Sequence, residues 1–334
     1  MQGQDVFTTV SIGIAFNDRA CDRPEDMLRN ADTAMYRAKT LGRGRHELFD
    51  TAMHTRALDL LQLETDLRRA VTAIDGFHRE FQLWYQPIVD LESGEVNGFE
   101  ALVRWRHPER GMVSPAEFIP IAEDTGLIVP LGQWILQEAW HQIQVWRQQF
   151  IDHPPLSISV NLSPRQFSQE LVAQVRGLLN ASKLLDDGVE INLKLEITES
   201  ALMENLDAAT ALLRELKTLG VQLLIDDFGT GYSSLSYLHR FPIDTMKIDQ
   251  SFVSRIGSDN DSEEIVRAIV TLAHNLGMNV IAEGVETLDQ VIQLRLLGAE
   301  YGQGYFFSKP LHNQGAEGLL AIEPHWIKET IWLS

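Results

Sequence analysis

Apolar or alternating segments of strand length recur from residue 81 onward. They cover residues 81–89, 96–105, 156–161, 191–196, 221–226, 245–249, 279–283 and 298–305. Segments with apolar residues three and four apart separate most of them, at 115–124, 131–149, 165–181, 207–219, 261–276 and 287–297. In 131–149 the repeat is carried by Trp134, Ile135, Ala139, Ile143 and Trp146. The gap at 90–95 holds Ser93-Gly94 and suits a hairpin, so the first two strands are expected to be antiparallel. The sharpest break in pattern is at Leu223-Leu224-Ile225, which runs straight into Asp226-Asp227. A glycine-spaced loop, Phe228 to Leu235, follows. Adjacent strand residues face opposite ways, but a strand end can turn both acids towards one mouth.

Strands alternating with helices over about 250 residues predict a modified (β/α)8 barrel of the TIM type with one antiparallel strand. A doubly wound open sheet is the alternative, with its site gathered at one switch point. Here polar residues recur at strand ends all along the chain, which favours the barrel. The chain has no P-loop, no His-Glu-x-x-His, and no Gly-x-Gly-x-x-Gly after a first strand. Residues 1–50 differ. An alternating stretch at 9–15 precedes a helix opened by Pro24 and patterned by Met27, Leu28, Ala31, Ala34, Met35 and Ala38, which stops at 41–45. Fifty residues bury a poor core, so this piece is expected to lean on a neighbour or a partner chain. Residues 51–75 read as one helix along Leu58, Leu61, Leu67, Val71 and Ile74. The expected division is a fragment at 1–50, a linker helix at 51–77, the barrel at 78–323 and a tail at 324–334.

Composition narrows the chemistry. Of 334 residues, 44% are hydrophobic and 22% charged, as in an ordinary globular protein. The single cysteine, Cys21, excludes a disulfide framework and a Cys-based zinc site, and fits a reducing, cytoplasmic setting. No apolar run approaches the ~18 residues of a membrane span, and the first residues show no secretory leader. A net charge of −19 opposes DNA and anionic membranes as partners. It does not oppose a small phosphate ligand, because acids gathered around divalent ions present local positive charge.

The predicted strand ends deliver Glu100, Asn161, Glu196, Asp226, Asp227, Lys247, Asp249, Glu283 and Gln303. Each alone has an ordinary explanation: Asn161 as a helix cap, Glu196 as one half of a rim ion pair, Lys247 as a solvated charge. In one barrel mouth, however, several acids cannot share a pocket uncompensated. Oxygen ligands without His or Cys select Mg2+ or Mn2+, with Ca2+ as a third option. Asp226 beside Asp227 suits a bridge between two ions ~3.5–4 Å apart, the arrangement used in phosphoryl chemistry.

Residues 11–15, 31–39 and 42–43 (Ser-Ile-Gly-Ile-Ala, Ala-Asp-Thr-Ala-Met-Tyr-Arg-Ala-Lys and Gly-Arg) resemble the last part of a GGDEF domain, the diguanylate cyclase fold. The Gly-Gly-Asp-Glu-Phe loop is absent from the sequence, so cyclase activity is not expected of it. Residues 78–323 resemble a complete EAL domain, the cyclic-di-GMP phosphodiesterase family. The matching motifs are Glu100-Ala101-Leu102-Val103-Arg104-Trp105, Asn161-Leu162-Ser163, Glu196-Ile197-Thr198-Glu199, Asp226-Asp227-Phe228-Gly229-Thr230-Gly231, Lys247-Ile248-Asp249, Glu283-Gly284-Val285-Glu286 and Gln303-Gly304-Tyr305. The resemblance implies hydrolysis of cyclic-di-GMP to linear pGpG with two ions, Mg2+ or Mn2+. It implies that Glu100, Asn161, Glu196 and Asp226 hold the first ion and Asp226 and Asp227 the second. Lys247 would orient the attacking water, and Glu283 would be an outer-sphere or general-base residue. Gln86, Leu102, Arg104 and Gln303 would contact or position substrate, while Glu199 and Glu286 support the Asp-Asp-Phe-Gly loop. A homodimer linked to that loop is also implied. Two other readings stand beside this one: a silent cyclic-di-GMP receptor, and an unrelated Mg2+-dependent barrel lyase or aldolase. The other phosphodiesterase class for this messenger needs His-Asp pairs, and the chain has no His-Asp dipeptide.

Overall fold

A computed structural model of the protein describes residues 9–16, 23–40, 42, 44–73, 80–183, 192–203, 206–229, 238–257, 260–322 and 326. Cys21, Leu41, Arg43, Ile74, residues 230–237 of the glycine-spaced loop and most of the expected tail lie outside the described residues. The chain forms two compact units, Met1–Ala70 and Val71–Ser334.

In the first unit, strand β1 (Ile12–Ile14) pairs in parallel with β2 (His46–Leu48), a strand the sequence pattern did not announce. Helix Pro24–Thr40 connects them and buries Ala34 and Ala38. It lies so close to β1 at Gly13 that a Cβ there would overlap the Ala31 carbonyl. Helix Thr51–Thr72 follows. It buries Leu67 and Val71 as its pattern predicts, but Leu58 and Leu61 stay exposed. A periodic stripe is buried only where a second surface covers it.

The second unit is a closed barrel. Its strands are β3 (Phe81–Asp90), β4 (Val96–His107), β6 (Ser157–Leu162), β7 (Leu193–Thr198), β8 (Gln222–Phe228), β9 (Thr245–Ile248), β10 (Asn279–Ala282) and β11 (Tyr301–Gly302). The pairing order is β3-β11-β10-β9-β8-β7-β6-β4, and β4 closes the ring on β3. Strand β3 is antiparallel to both neighbours, while the other ring pairings are parallel. The expected fold and its one reversed strand are both present.

Several boundaries differ from the sequence reading, each for a local reason. Strand β4 overshoots to His107 and pairs with a short strand β5 (Gly111–Val113). The helix expected at 165–181 spans Gln169–Lys183, because Ser163 and Gln166 form a capping box on the 3-10 turn Pro164–Gln166. The strand expected at 298–305 shrinks to β11, since Gly298 caps helix Leu288–Leu297. Helices Glu199–Met203, Gln250–Val253 and Asn313–Ile322 were too short or too weakly patterned to read.

Alternation along the strands organises the barrel interior. Ile88 of β3, Leu224 of β8 and Ile281 of β10 pack together as a fully buried plug, with Tyr301 against it. Gln86, Asp226 and Glu283 each lie two residues from one of these plug residues, so they share its face one layer nearer the mouth. On the floor side, Lys194 of β7 donates to Asn97 Oδ1 at 3.4 Å, and its ammonium lies 5.7 Å from the centre of the Tyr301 ring. Burial pushes the Lys194 pKa down to about 8, against the pull of Glu196 and Asp244.

Two outcomes follow from this packing. A Cβ on Gly304 would overlap the Val285 backbone. Gly304→Ala is therefore expected to cost roughly 1–3 kcal/mol in urea unfolding, with the loss concentrated in the turn that carries Gln303. The unfolded chain keeps the Lys194 proton to higher pH than the folded barrel, so folding stability should rise from about pH 8 towards the ordinary lysine value. The rise should be roughly 1–3 kcal/mol and absent in Lys194→Met, as read by chemical denaturation at pH 7, 8 and 9.

Candidate active site

A buried lysine sits at the centre of the mouth. Lys247, on β9, is 1% exposed, and its Nζ meets four carboxylates. The distances are 2.6 Å to Glu196 Oε2, 2.6 Å to Glu283 Oε1, 3.4 Å to Asp226 Oδ1 and 3.6 Å to Glu100 Oε2. These acids come from β7, from the turn after β10, from β8 and from β4. Glu100 has both oxygens engaged: Asn161 Nδ2 donates to Oε1 at 2.6 Å and Gln303 Nε2 to Oε2 at 2.6 Å. Gln303 also reaches Gln86 Oε1 at 3.2 Å, and Gln86 Nε2 donates to the Ser308 carbonyl at 3.2 Å.

The two adjacent aspartates reach one mouth through a β-bulge. Ile225 pairs with Met246 and Phe228 with Ile248, so Asp226 and Asp227 together oppose Lys247. Asp227 adopts φ 54°, the one positive φ outside glycine among the described residues. Its N–H donates to Asp226 Oδ1 at 3.0 Å. Asp and Asn tolerate this left-handed region better than most residues. As a result, Asp226, Asp227 and Glu283 can each place an oxygen within 4.8 Å of the others.

Electrostatics divide the acids. Burial pushes the Glu100 pKa up, but Lys247, Gln303 and Asn161 outweigh it and hold the group below the usual range. Burial and the Glu100 charge push Glu196 well up despite Lys247. Burial, partly offset by Lys247, and the charges of Asp226 and Glu100 bring Glu283 to about 7. Burial and the charges of Asp226 and Asp249 raise Asp227. Burial lowers Lys247, but the surrounding acids override it and hold the ammonium firmly protonated.

These residues fit divalent cations. Five carboxylates and one ammonium sum to −4 when all are ionised, the charge two divalent ions would cancel. Burial first, and then the neighbouring acids, raise Glu196, Glu283 and Asp227. Glu196 Oε1 and Gln303 Oε1 are buried without a hydrogen-bond partner, so lone pairs remain available in the cluster. The donors are carboxylate and amide oxygens, the set that hard cations take.

The structure thus gathers Glu100, Asn161, Glu196, Asp226, Asp227, Lys247, Glu283, Gln303 and Gln86. Glu100 and Gln86 are not at strand ends. They face each other in mid-strand, because β4 and β3 run past the mouth as a hairpin. Leu102 and Arg104 share Glu100's face of β4 and are half-buried. Arg104 donates to the Val103 carbonyl at 2.9 Å, and its guanidinium lies 5.5 Å from the Trp84 ring. Asp249 is a helix cap, accepting from Ser251 N–H at 2.9 Å. Glu199 is buried at the start of helix Glu199–Met203. Glu286 is exposed, and no described contact joins its carboxylate to the cluster. The sequence reading missed Trp84 and the Ser308 carbonyl. Trp84 alternates with Gln86 along β3, but only the hairpin register Trp84↔Leu102 puts it beneath Arg104.

Residues 65–310 match the EAL domain family, and residues 1–45 match the diguanylate cyclase GGDEF domain. The chain is 42% identical over 318 residues to the bifunctional diguanylate cyclase/cyclic di-GMP phosphodiesterase MucR of Pseudomonas aeruginosa, covering 95% of this chain and 44% of that protein. It is 41% identical over 311 residues to the cyclic di-GMP phosphodiesterase PdeR of Escherichia coli, covering 92% and 45%. The chain therefore spans less than half the length of these curated relatives. Among solved structures, it resembles the MucR phosphodiesterase in complex with c-di-GMP, with TM-score 0.69 and 41% identity over 76% of this chain and 99% of that one. It also resembles the EAL enzyme Bd1971 in a cAMP- and cyclic-di-GMP-bound form, with TM-score 0.72 and 35% identity over 90% and 76%. With the match spanning the whole barrel and its mouth, this chain belongs to the EAL domain family.

Proposed function

We propose that the barrel is a metal-dependent phosphodiesterase that hydrolyses cyclic-di-GMP to linear pGpG. The observation that carries this reading is the ring of Glu100, Glu196, Asp226 and Glu283 around Lys247 at the mouth. Relatives named as cyclic di-GMP phosphodiesterases support it. Glu100, Asn161, Glu196 and Asp226 would hold one divalent ion, and Asp226 with Asp227 a second, of the Mg2+ or Mn2+ class. Such ions, when bound, supply Lewis acidity that lowers the pKa of a water and offsets phosphate charge.

The chain's own residues then divide the work. Asn161 and Gln303 fix both oxygens of Glu100, which orients its carboxylate without a charge partner of their own. Glu283, held by its 2.6 Å contact with Lys247, is placed to take the proton of the attacking water. Lys247 keeps its proton and offsets charge as it builds on the phosphorus oxygens. Arg104, set over Trp84, offers a planar pair of donors to a phosphate. Leu102, on the same face of β4, supplies an apolar contact for the ligand, and Gln86 and Gln303 position it. Water oxygen bonds to phosphorus, one P–O ester bond breaks, and the released 3′ oxygen takes a proton. Glu199, and Glu286 less directly, would support the loop after Asp227. We place the protein in the cytoplasm as a homodimer, with GGDEF-like sequence at 1–50, a linker helix at 51–77, the barrel at 78–323 and residues 324–334 after it. Among the described residues, no helix is long and apolar enough to cross a membrane.

Chromatography of cyclic-di-GMP incubated with the protein tests the reading. Linear pGpG should appear with Mg2+ or Mn2+ and not with EDTA, and Glu100→Ala should lower turnover at least about a hundredfold. Retained binding of cyclic-di-GMP without turnover would make the barrel a receptor instead. Arg104→Ala should raise KM by about tenfold or more while kcat changes less, as expected for a group that holds substrate. In light scattering the protein should have twice the mass of one chain; a fully active monomer would remove the dimer from the proposal.

A further inference from the structure

Lys247 and the proposed first ion draw on the same carboxylates. Three of the lysine's four neighbours, Glu100, Glu196 and Asp226, are residues assigned above to that ion. The fourth, Glu283, is not. An ammonium has three protons and therefore three hydrogen bonds to give. Here two contacts are short, to Glu196 and Glu283 at 2.6 Å, while Asp226 and Glu100 stand further off at 3.4 and 3.6 Å. Lys247 is fully buried on a barrel strand, so its head cannot withdraw into water. Nor is another basic side chain placed to take over from it. Among the described residues, no other lysine or arginine nitrogen lies within 4 Å of these four acids. Lys194 is turned to the floor by Asn97, and Arg104 is set over Trp84.

We propose that Lys247 is a built-in cation that holds the acid cluster together without metal and competes with divalent ions for Glu196 and Asp226. This rests on the metal-dependent reading above. In the metal-free protein the ammonium draws the acids together. An incoming ion takes over Glu196 and Asp226, and Lys247 keeps Glu283. The lysine thereby weakens metal binding and, in the same measure, frees the fold from depending on metal. Opposed charges at these separations are strongly coupled inside a protein, so the effect is large enough to measure.

Calorimetric titration with Mn2+ and with Mg2+, without substrate, reads the competition directly. Lys247→Met and Lys247→Gln should bind the ions at least tenfold more tightly than the parent. Lys247→Arg, which keeps the charge, should stay within about threefold of it. In thermal unfolding metal should raise the melting temperature of the parent only modestly over that in EDTA. The two uncharged variants should melt far lower in EDTA and recover with metal. An uncharged variant that folds only in the presence of metal gives the same support. Equal or weaker metal binding in the uncharged variants would overturn the proposal while leaving the metal reading intact. If no divalent ion binds even the parent, the metal reading falls and this inference with it.

Discussion

The barrel mouth is organised around one buried ammonium. Lys247 touches carboxylates from four separate parts of the barrel, so its position ties β4, β7, β8 and the turn after β10 to a single point. Desolvating a lone lysine this deeply would strip its proton, and desolvating a lone carboxylate would add one. Together they restrain each other, but unequally. The lysine stays charged and Glu100 stays low, while Glu196 and Glu283 are pushed up. The surplus of negative charge is what makes the site receptive to cations.

The rest of the barrel keeps that arrangement rigid. The apolar plug of Ile88, Leu224 and Ile281 closes the interior immediately behind the acids. Because strand side chains alternate, the residues that fill the core also set the height of Gln86, Asp226 and Glu283. One bulge breaks this regularity. At Asp226-Asp227 the sheet gains a residue opposite Lys247, and a left-handed backbone turns the second carboxylate to the same side as the first.

Much of this was legible in the sequence. The apolar run ending in Asp226-Asp227, the repeated polar strand ends and the short gap at 90–95 were sufficient for the barrel and its reversed strand. They also picked out the acids that meet around Lys247. Other features were not written in any local pattern. The bulge is a mismatch between two strands, and neither β8 nor β9 shows it alone. Glu100 and Gln86 meet in mid-strand because of a hairpin register, not because of a strand end. Trp84 beneath Arg104 depends on that same register. Leu58 and Leu61 carry a helical stripe that nothing among the described residues covers, since periodicity records which face is apolar but not whether a surface meets it.

The reversed first strand bears on how the molecule is assembled. Strands β3 and β4 are neighbours in sequence and can pair early as a hairpin, but the ring closes only when β11 docks on β3. That seam joins Tyr301 and Gly302 to Asp90 and Val89, and Tyr85 to Leu311, across more than two hundred residues of chain. Contacts of such long range form late in folding. Gln303, which reaches both Gln86 and Glu100, directly follows the strand that completes the ring. A nascent or partly opened barrel therefore has its acids but not its finished mouth, and the site is complete only once the ring has closed.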